Sequence, residues 1–412
     1  MSETDPHPVS PLPGLIPLEG VVRHYDWGSR TFLAALRHHP QPSAEPEAEL
    51  WYGAHPTAPS PVRLGGDELS LDALIGRHAA EVLGAASGTG AGDATRPEQH
   101  ELPFLLKVLA ADRPLSIQLH PDGARARAGF EREEAQGIDR SASRRLYPDS
   151  NPKPEIACAL TPFEALQSLR PPLEVRSLVA SLGCPEADAL LGRADPEDPA
   201  ALLAAILSLG ESEASALATA TARAAQRSAT PEGAWVARLA ESYPRDPLIL
   251  APLLLHLVEL VPGEALYTPP GVIHSYLEGA AVELMGASDN VLRAGLTRKP
   301  VDSDELLAAL DPAPRQPAIL VPREVAGSAW REYPDTGPIR LSFADVEWDG
   351  ALAVETIGHP CILLAISGHV RARSSDGAEL ELRPGDAALV PAAAPGYRLE
   401  GVGRIYRASA AG

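Results

Sequence analysis

The chain has 412 residues and a mass of 43.4 kDa, more than one ordinary core accommodates, which predicts two or three domains. Hydrophobic residues make up 45% and charged residues 22%, the proportions of a folded globular protein, and 34 Gly with 42 Pro predict many turns. Lys and Arg number 35 against 55 Asp and Glu, a net charge of −20 that excludes nucleic acid and anionic membrane surfaces as general partners and leaves a small anion possible where a site gathers its own cations.

At the N-terminus, MSETDPHPVSPLPG lacks a basic region followed by an apolar run, so no secretory leader is predicted. Cys158, Cys184 and Cys361 lie far apart and no CxxC occurs. Neither a disulfide framework nor a cysteine zinc site is indicated, and a cytoplasmic protein fits. Residues 1–80 alternate short apolar runs with Pro and Gly, as β-rich structure with long loops does. Residues 84–100, rich in Gly, Ala and Thr, predict a surface loop. Two strand-like runs follow between Leu102 and Asp122, with Asp112-Arg113-Pro114 as the turn between them.

From about Pro172 to Pro247 the composition shifts to Ala, Leu, Glu and Arg, which favours helices, broken by Pro and Gly into short pieces. LILAPLLLHLVEL (248–260) contains Pro252, His256 and Glu259 and is too short to span a bilayer, so it predicts a buried helix or strand. Strand signals return after Val261. The expected fold is mainly β with an α-helical insertion. One domain comprises residues 1–171 and 256–320, the helical insertion covers 172–255, and a C-terminal domain covers 321–412.

One pattern recurs. Gly263 and Pro269 are separated by five residues in GEALYTPPGVIHSY, as are Gly385 and Pro391 in GDAALVPAAAPGY. The first continues to His274, whereas Gly396 stands at the matching place in the second. The first copy resembles the second cupin motif, with Glu278 in place of its final Asn. That implies double-sheet jelly-roll barrels, a catalytic one and a C-terminal cupin-like one without a metal site.

Gln118 and His120 are two apart in SIQLHPD, so on a strand both side chains face the same way. His274 supplies a second imidazole and Glu155, in the extended NPKPEIACAL, a carboxylate. Such nitrogen and oxygen ligands suit zinc, although Gln is an uncommon zinc ligand, and iron or manganese stay open. The lysines add a further signal. Lys107, Lys153 and Lys299 are the only three, against 32 arginines, and all fall inside these motif blocks. An ammonium on a flexible stem is not equivalent to a planar guanidinium, so these positions are candidates for a specific need for Lys.

The runs LPFLLKVLAADRPLSIQLHPD, NPKPEIA and YTPPGVIHSYLEGAAVELMGASDNVLRAGLTRK, with HYDWGS (24–29) and AELWYGAHPTAPS (48–60), resemble the type I phosphomannose isomerase family. The resemblance implies one zinc ion per chain on Gln118, His120, Glu155 and His274, with Arg293 of NVLRAG as an active-site arginine. It implies interconversion of mannose 6-phosphate and fructose 6-phosphate through an enediolate, feeding mannose and GDP-mannose metabolism. Arg298 precedes Lys299 where the family often has Pro. Such a reaction needs an electrophile for the developing oxyanion, a proton relay and a phosphate clamp. Lys107, Lys299 and Ser116 are candidates for the clamp; Lys153, Glu283 and Asp289 for the relay; Tyr276 and Trp27 for the pocket wall. The expected partner is a small sugar phosphate and the expected state a monomer. A cupin oxygenase with a similar metal shell and a non-catalytic sugar-phosphate binding protein are the competing readings.

Overall fold

In the computed structural model the described residues are 11–84, 101–334, 336–347, 351–355 and 358–411. The surface loop expected at 84–100 lies outside them apart from Gly84. Two antiparallel sheets of eleven strands each carry the fold, and the helices gather mainly into one block.

The first sheet runs, in spatial order, through Val21–Arg23, Glu49–Tyr52, Phe104–Ala111, His274–Gly286, Glu155–Ala159, Ala265–Thr268 and Ala318–Leu320. The 13-residue strand His274–Gly286 serves two halves of this sheet. Its second part pairs with Phe104–Ala111 and Glu155–Ala159, and its first with Ile117–Leu119 and Phe163–Leu169. The change of partners falls at a bulge between Tyr276 and Glu278, next to Gly279. Gly279 has φ +115°, and a Cβ there would meet the Pro162 carbonyl oxygen at 2.5 Å, so the bend requires glycine. The double-sheet arrangement is present, but the strands pair as open paths among the described residues and do not close into barrels. One long bent strand joins the two halves.

The second sheet contains Ile339–Val346, Tyr397–Ala410, Cys361–Ser374 and Ala387–Val390 of the C-terminal region. It also takes in Ile16–Leu18, Pro61–Leu64 and Asp67–Ser70 from the N-terminal region. The boundary drawn at residue 321 is therefore crossed by the chain's own beginning. Ile16–Leu18 pairs with Leu389–Ala387, and the shared core explains why: Ile16, Leu18 and Val62 pack with Ile362, Leu364 and Leu389 and with Leu106 and Val108 of the first sheet. Each fully buried Leu or Ile is worth about 1.5–3 kcal/mol, so this seam binds the two sheets firmly.

Helices fill Pro172–Leu182 through Ala251–Leu254, and the strand Leu255–Leu260 follows at once. The apolar 248–260 run is thus partly a short helix and partly a strand, both largely buried. This block packs Val179, Leu203, Trp235 and Leu253 against Ile117, Leu119, Leu166 and Leu292, behind the strands that carry the polar groups described next. Two longer helices lie outside the block: Leu71–Leu83, largely within the stretch expected to be strands and loops, and Gly123–Ala135, in a stretch without a sequence-based expectation.

Candidate metal centre and active site

Residues directly opposite one another in an antiparallel pair share a face. Gln167 stands opposite both His256 and His274, His274 opposite Gln118, and Gln118 opposite Arg293. A row of polar side chains therefore crosses five strands on one face. From the other half of the sheet, Glu155 stands opposite Thr268, and Lys107 opposite Trp51 and Glu283. The sequence spacing that places Gln118 and His120 on one face thus brings them to a face shared with His274 and Arg293.

His120, Glu155 and His274 converge, each fully buried, with one ligand atom apiece within 4.8 Å of the others. His120 Nε2 lies 3.1 Å from Glu155 Oε1, and His274 Nε2 lies 3.3 Å from Oε2. The other ring nitrogens decide the chemistry. His120 Nδ1 donates to the Asn290 carbonyl at 2.8 Å, and His274 Nδ1 donates to the Val272 carbonyl at 3.0 Å. A carbonyl accepts only, so each neutral ring carries its proton on Nδ1 and turns the Nε2 lone pair toward the carboxylate. Burial, with the Lys153 charge nearby, pushes the His120 pKa down to about 4 and keeps that ring neutral. Neither Nε2 has a hydrogen-bond partner among the described residues.

Acceptors thus face acceptors in a buried pocket. A divalent cation resolves that arrangement, and two imidazoles with a carboxylate fit a zinc-type donor set. Burial opposes ionisation of Glu155, but the Lys153 ammonium beside it outweighs this and holds the carboxyl well below its usual range. Lys153 Nζ sits 2.7 Å from Glu155 Oε1, and the Tyr276 hydroxyl donates to Oε2 at 3.5 Å. Gln118 Oε1 accepts from the Ser116 hydroxyl at 3.1 Å, so Ser116 is engaged in orienting Gln118.

Lys107, expected as a phosphate contact, is buried between two carboxylates, Glu283 at 3.2 Å and Glu49 at 3.5 Å. Its ammonium lies 5.1 Å from the centre of the Trp51 ring. Burial lowers its proton affinity, yet the two carboxylates more than reverse this and keep it charged. A cation so engaged has little to offer a phosphate, so Lys107 belongs with the interior charge network. Arg293 and Lys299 differ. Neither forms an ion pair among the described residues; partial burial lowers the pKa of Arg293, and desolvation with the Arg293 charge lowers that of the exposed Lys299, against which Asp289 and Glu49 act at longer range. Two neighbouring cations that no carboxylate contacts among the described residues make a candidate anion site.

The remaining candidates divide. Burial raises the Glu283 pKa, whereas Asp289, which is solvent-exposed, is held below the ordinary carboxylate range by His55. His55 Nε2 lies 3.0 Å from Asp289 Oδ2, and the backbone N–H of Thr57 donates to His55 Nδ1 at 3.3 Å. Trp27 stacks on Tyr25 with ring centres 5.6 Å apart, and its carbonyl accepts from Asp112 at 3.0 Å. A cleft of about 660 Å³, lined by His55, Phe104, Arg140, Asp149, Asn151 and Asp289, opens beside these groups. Glu49, Trp51, His55 and Asn290 escaped the sequence analysis. Glu49 and Trp51 sit two apart inside a quoted motif, which is the signal that would have found them.

A two-sheet β scaffold holding a buried His–Glu–His cluster, with unpaired cations nearby, defines a cupin-class, metal-assisted enzyme for a small anionic substrate. Residues 15–172 match the phosphomannose isomerase type I catalytic domain. The chain is 37% identical to mannose-6-phosphate isomerase of Salmonella typhimurium and 36% identical to that of Escherichia coli, in each case covering 94% of this chain and 97% of the relative. A crystal structure of the Salmonella typhimurium enzyme bound to the substrate F6P and a zinc atom is 33% identical, superposes with a TM-score of 0.86, and matches 96% of this chain and 99% of the other. The chain belongs to the type I phosphomannose isomerase family and is a mannose-6-phosphate isomerase.

Proposed function

We propose that the chain interconverts mannose 6-phosphate and fructose 6-phosphate through an enediolate, with one zinc ion held by His120, Glu155, His274 and Gln118. The observation that carries this reading is the pair of unpartnered Nε2 atoms turned on a single carboxylate, with Arg293 and Lys299 nearby and outside any ion pair among the described residues. When bound there, zinc supplies a Lewis acid for the sugar's carbonyl oxygen.

The chain's own residues do the rest. Lys299 holds the phosphate, a charge-assisted contact made equally in ground and transition states. Arg293 faces oxygen that becomes negative only as the enediolate forms. Two carboxylates whose surroundings push their pKa values apart mark the acid and the base. Asp289, kept ionised by His55, takes the proton next to the carbonyl and returns it to the adjacent carbon, while Glu283, whose pKa burial raises, passes the hydroxyl proton between the two oxygens. Lys107 compensates Glu283 and Glu49 within the same interior. Tyr276 and Trp27 wall the pocket against water.

The test is a coupled assay of fructose 6-phosphate formation, run before and after chelation. Activity is expected to vanish in the metal-free protein and to return with zinc. Undiminished turnover by metal-free protein overturns the proposal.

A further inference from the structure

One carboxylate of the helical block reaches the strand end that carries Arg293. Asp246 precedes the short helix Pro247–Leu250, and its Oδ1 accepts the Leu248 N–H at 2.9 Å. Its other oxygen, Oδ2, accepts the Leu296 N–H at 2.6 Å, across fifty residues of chain. Leu296 has φ +52°, a left-handed conformation that a bulky L-residue adopts only where the surroundings impose it. The surroundings here are a charge-assisted hydrogen bond and full burial of the Leu296 side chain.

The residues on either side are fixed as well. A Cβ on Gly295 would lie 2.7 Å from Leu248 Cδ1 and 3.1 Å from Asp246 Oδ1, so the strand end abuts the helical block too closely for a side chain. Beyond Leu296, the Lys299 N–H donates to the Thr297 hydroxyl at 3.0 Å and closes a turn under the lysine. Between Arg293 and Lys299 the backbone is thus held from outside the sheet by Asp246 and from within by Thr297.

We propose that Asp246 is a positioning residue for anion binding: by fixing Leu296 in its left-handed conformation, it aims Lys299 at the substrate phosphate. The helical block thereby takes part in substrate recognition through one backbone hydrogen bond. This rests on the reading of Lys299 as the phosphate contact.

Steady-state kinetics on the zinc-loaded enzyme test it. Asp246→Ala is expected to raise KM for mannose 6-phosphate about tenfold, and the inhibition constant of inorganic phosphate in parallel, with kcat within about threefold and metal content unchanged. In a Lys299→Ala background, Asp246→Ala is expected to add nothing further to KM, because the group it aims is gone. Asp246→Asn keeps one acceptor oxygen for two N–H donors and should give a smaller rise in KM, which keeps the test open if the alanine variant fails to fold. A purely structural role would lower the melting temperature and the active fraction while leaving KM in place, and that result overturns the proposal. So does a KM increase that adds to that of Lys299→Ala. If Lys299→Ala raises KM and neither Asp246 variant does, the positioning role alone falls. If Lys299→Ala leaves KM unchanged, the phosphate reading fails and this proposal falls with it.

Discussion

Glu155 supplies the negative charge of the His–Glu–His cluster, and its two oxygens each face one imidazole. Glu155→Gln is expected to lose metal while staying folded, because the carboxamide oxygen still accepts from Lys153 and the strand Glu155–Ala159 tolerates an isosteric side chain. Mass spectrometry of the purified variant, set beside its circular dichroism, checks this; retained metal removes Glu155 from the ligand set. Arg293 and Lys299 should fail in different ways. Arg293→Ala should lower kcat by about 10²–10³, the usual cost of a group aimed at developing charge. Lys299→Ala should raise KM with kcat nearly unchanged. An Arg293→Ala variant altered only in KM would make the arginine a phosphate clamp. At this scale the shared face of Gln118 and His120 was legible, because strand periodicity fixes which side chains point the same way. The setting of Lys107 was not legible, for the converse reason. Spacing does not reveal that Glu49 and Glu283, from two other strands, will claim its charge.

Among the elements, the strand His274–Gly286 carries the heaviest demand, since it presents His274 in one half of the sheet and Glu283 in the other. Its bend depends on Gly279. Gly279→Ala meets both a left-handed φ and the Pro162 carbonyl, so we expect a loss of about 2 kcal/mol or more in urea unfolding, with weaker metal binding in the fraction that remains native. Unfolding within experimental error of the wild type would show that the bend relaxes freely. The helical block was legible because Ala, Leu, Glu and Arg dominate it without β-branched runs. The helical segment Leu71–Leu83 was not, although Leu71, Leu74 and Ile75 are buried at helical spacing before the kink at His78. Neighbouring turn residues suggested strands instead. The crossing of the N-terminal strands into the second sheet had no local signal at all. Short apolar runs such as Ile16–Leu18 fit any sheet, and long-range burial chooses the partner.

Across the whole molecule, two copies of one turn–strand motif lead to one metal centre, and backbone geometry explains the asymmetry. Gly263 and Gly385 open the two motifs with φ of +97° and +88°, so the turns themselves are alike. Eleven residues on, the first copy places His274 at the start of a strand. The second places Gly396 at φ +95°, where a Cβ would come within 2.8 Å of the Val354 carbonyl oxygen. The second site therefore lacks a ligand and also leaves no room for one. A single substitution such as Gly396→His should destabilise the C-terminal sheet without creating a second centre. The wild-type chain is accordingly expected to take up one zinc ion. Because the metal binds the assembled cluster and not the unfolded chain, free zinc at a thousand times its dissociation constant should stabilise the native state by about 4 kcal/mol. Calorimetry with and without zinc measures this, and His274→Ala should show no such shift. Two ions per chain, or an equal shift in the variant, would place metal outside the His120, Glu155 and His274 cluster. Both sheets share one core, so the stabilisation should raise the melting of the sheets together. A transition that splits, with only one part responding to zinc, would show that the seam of Ile16, Val62, Leu106 and Leu364 is too weak to couple them.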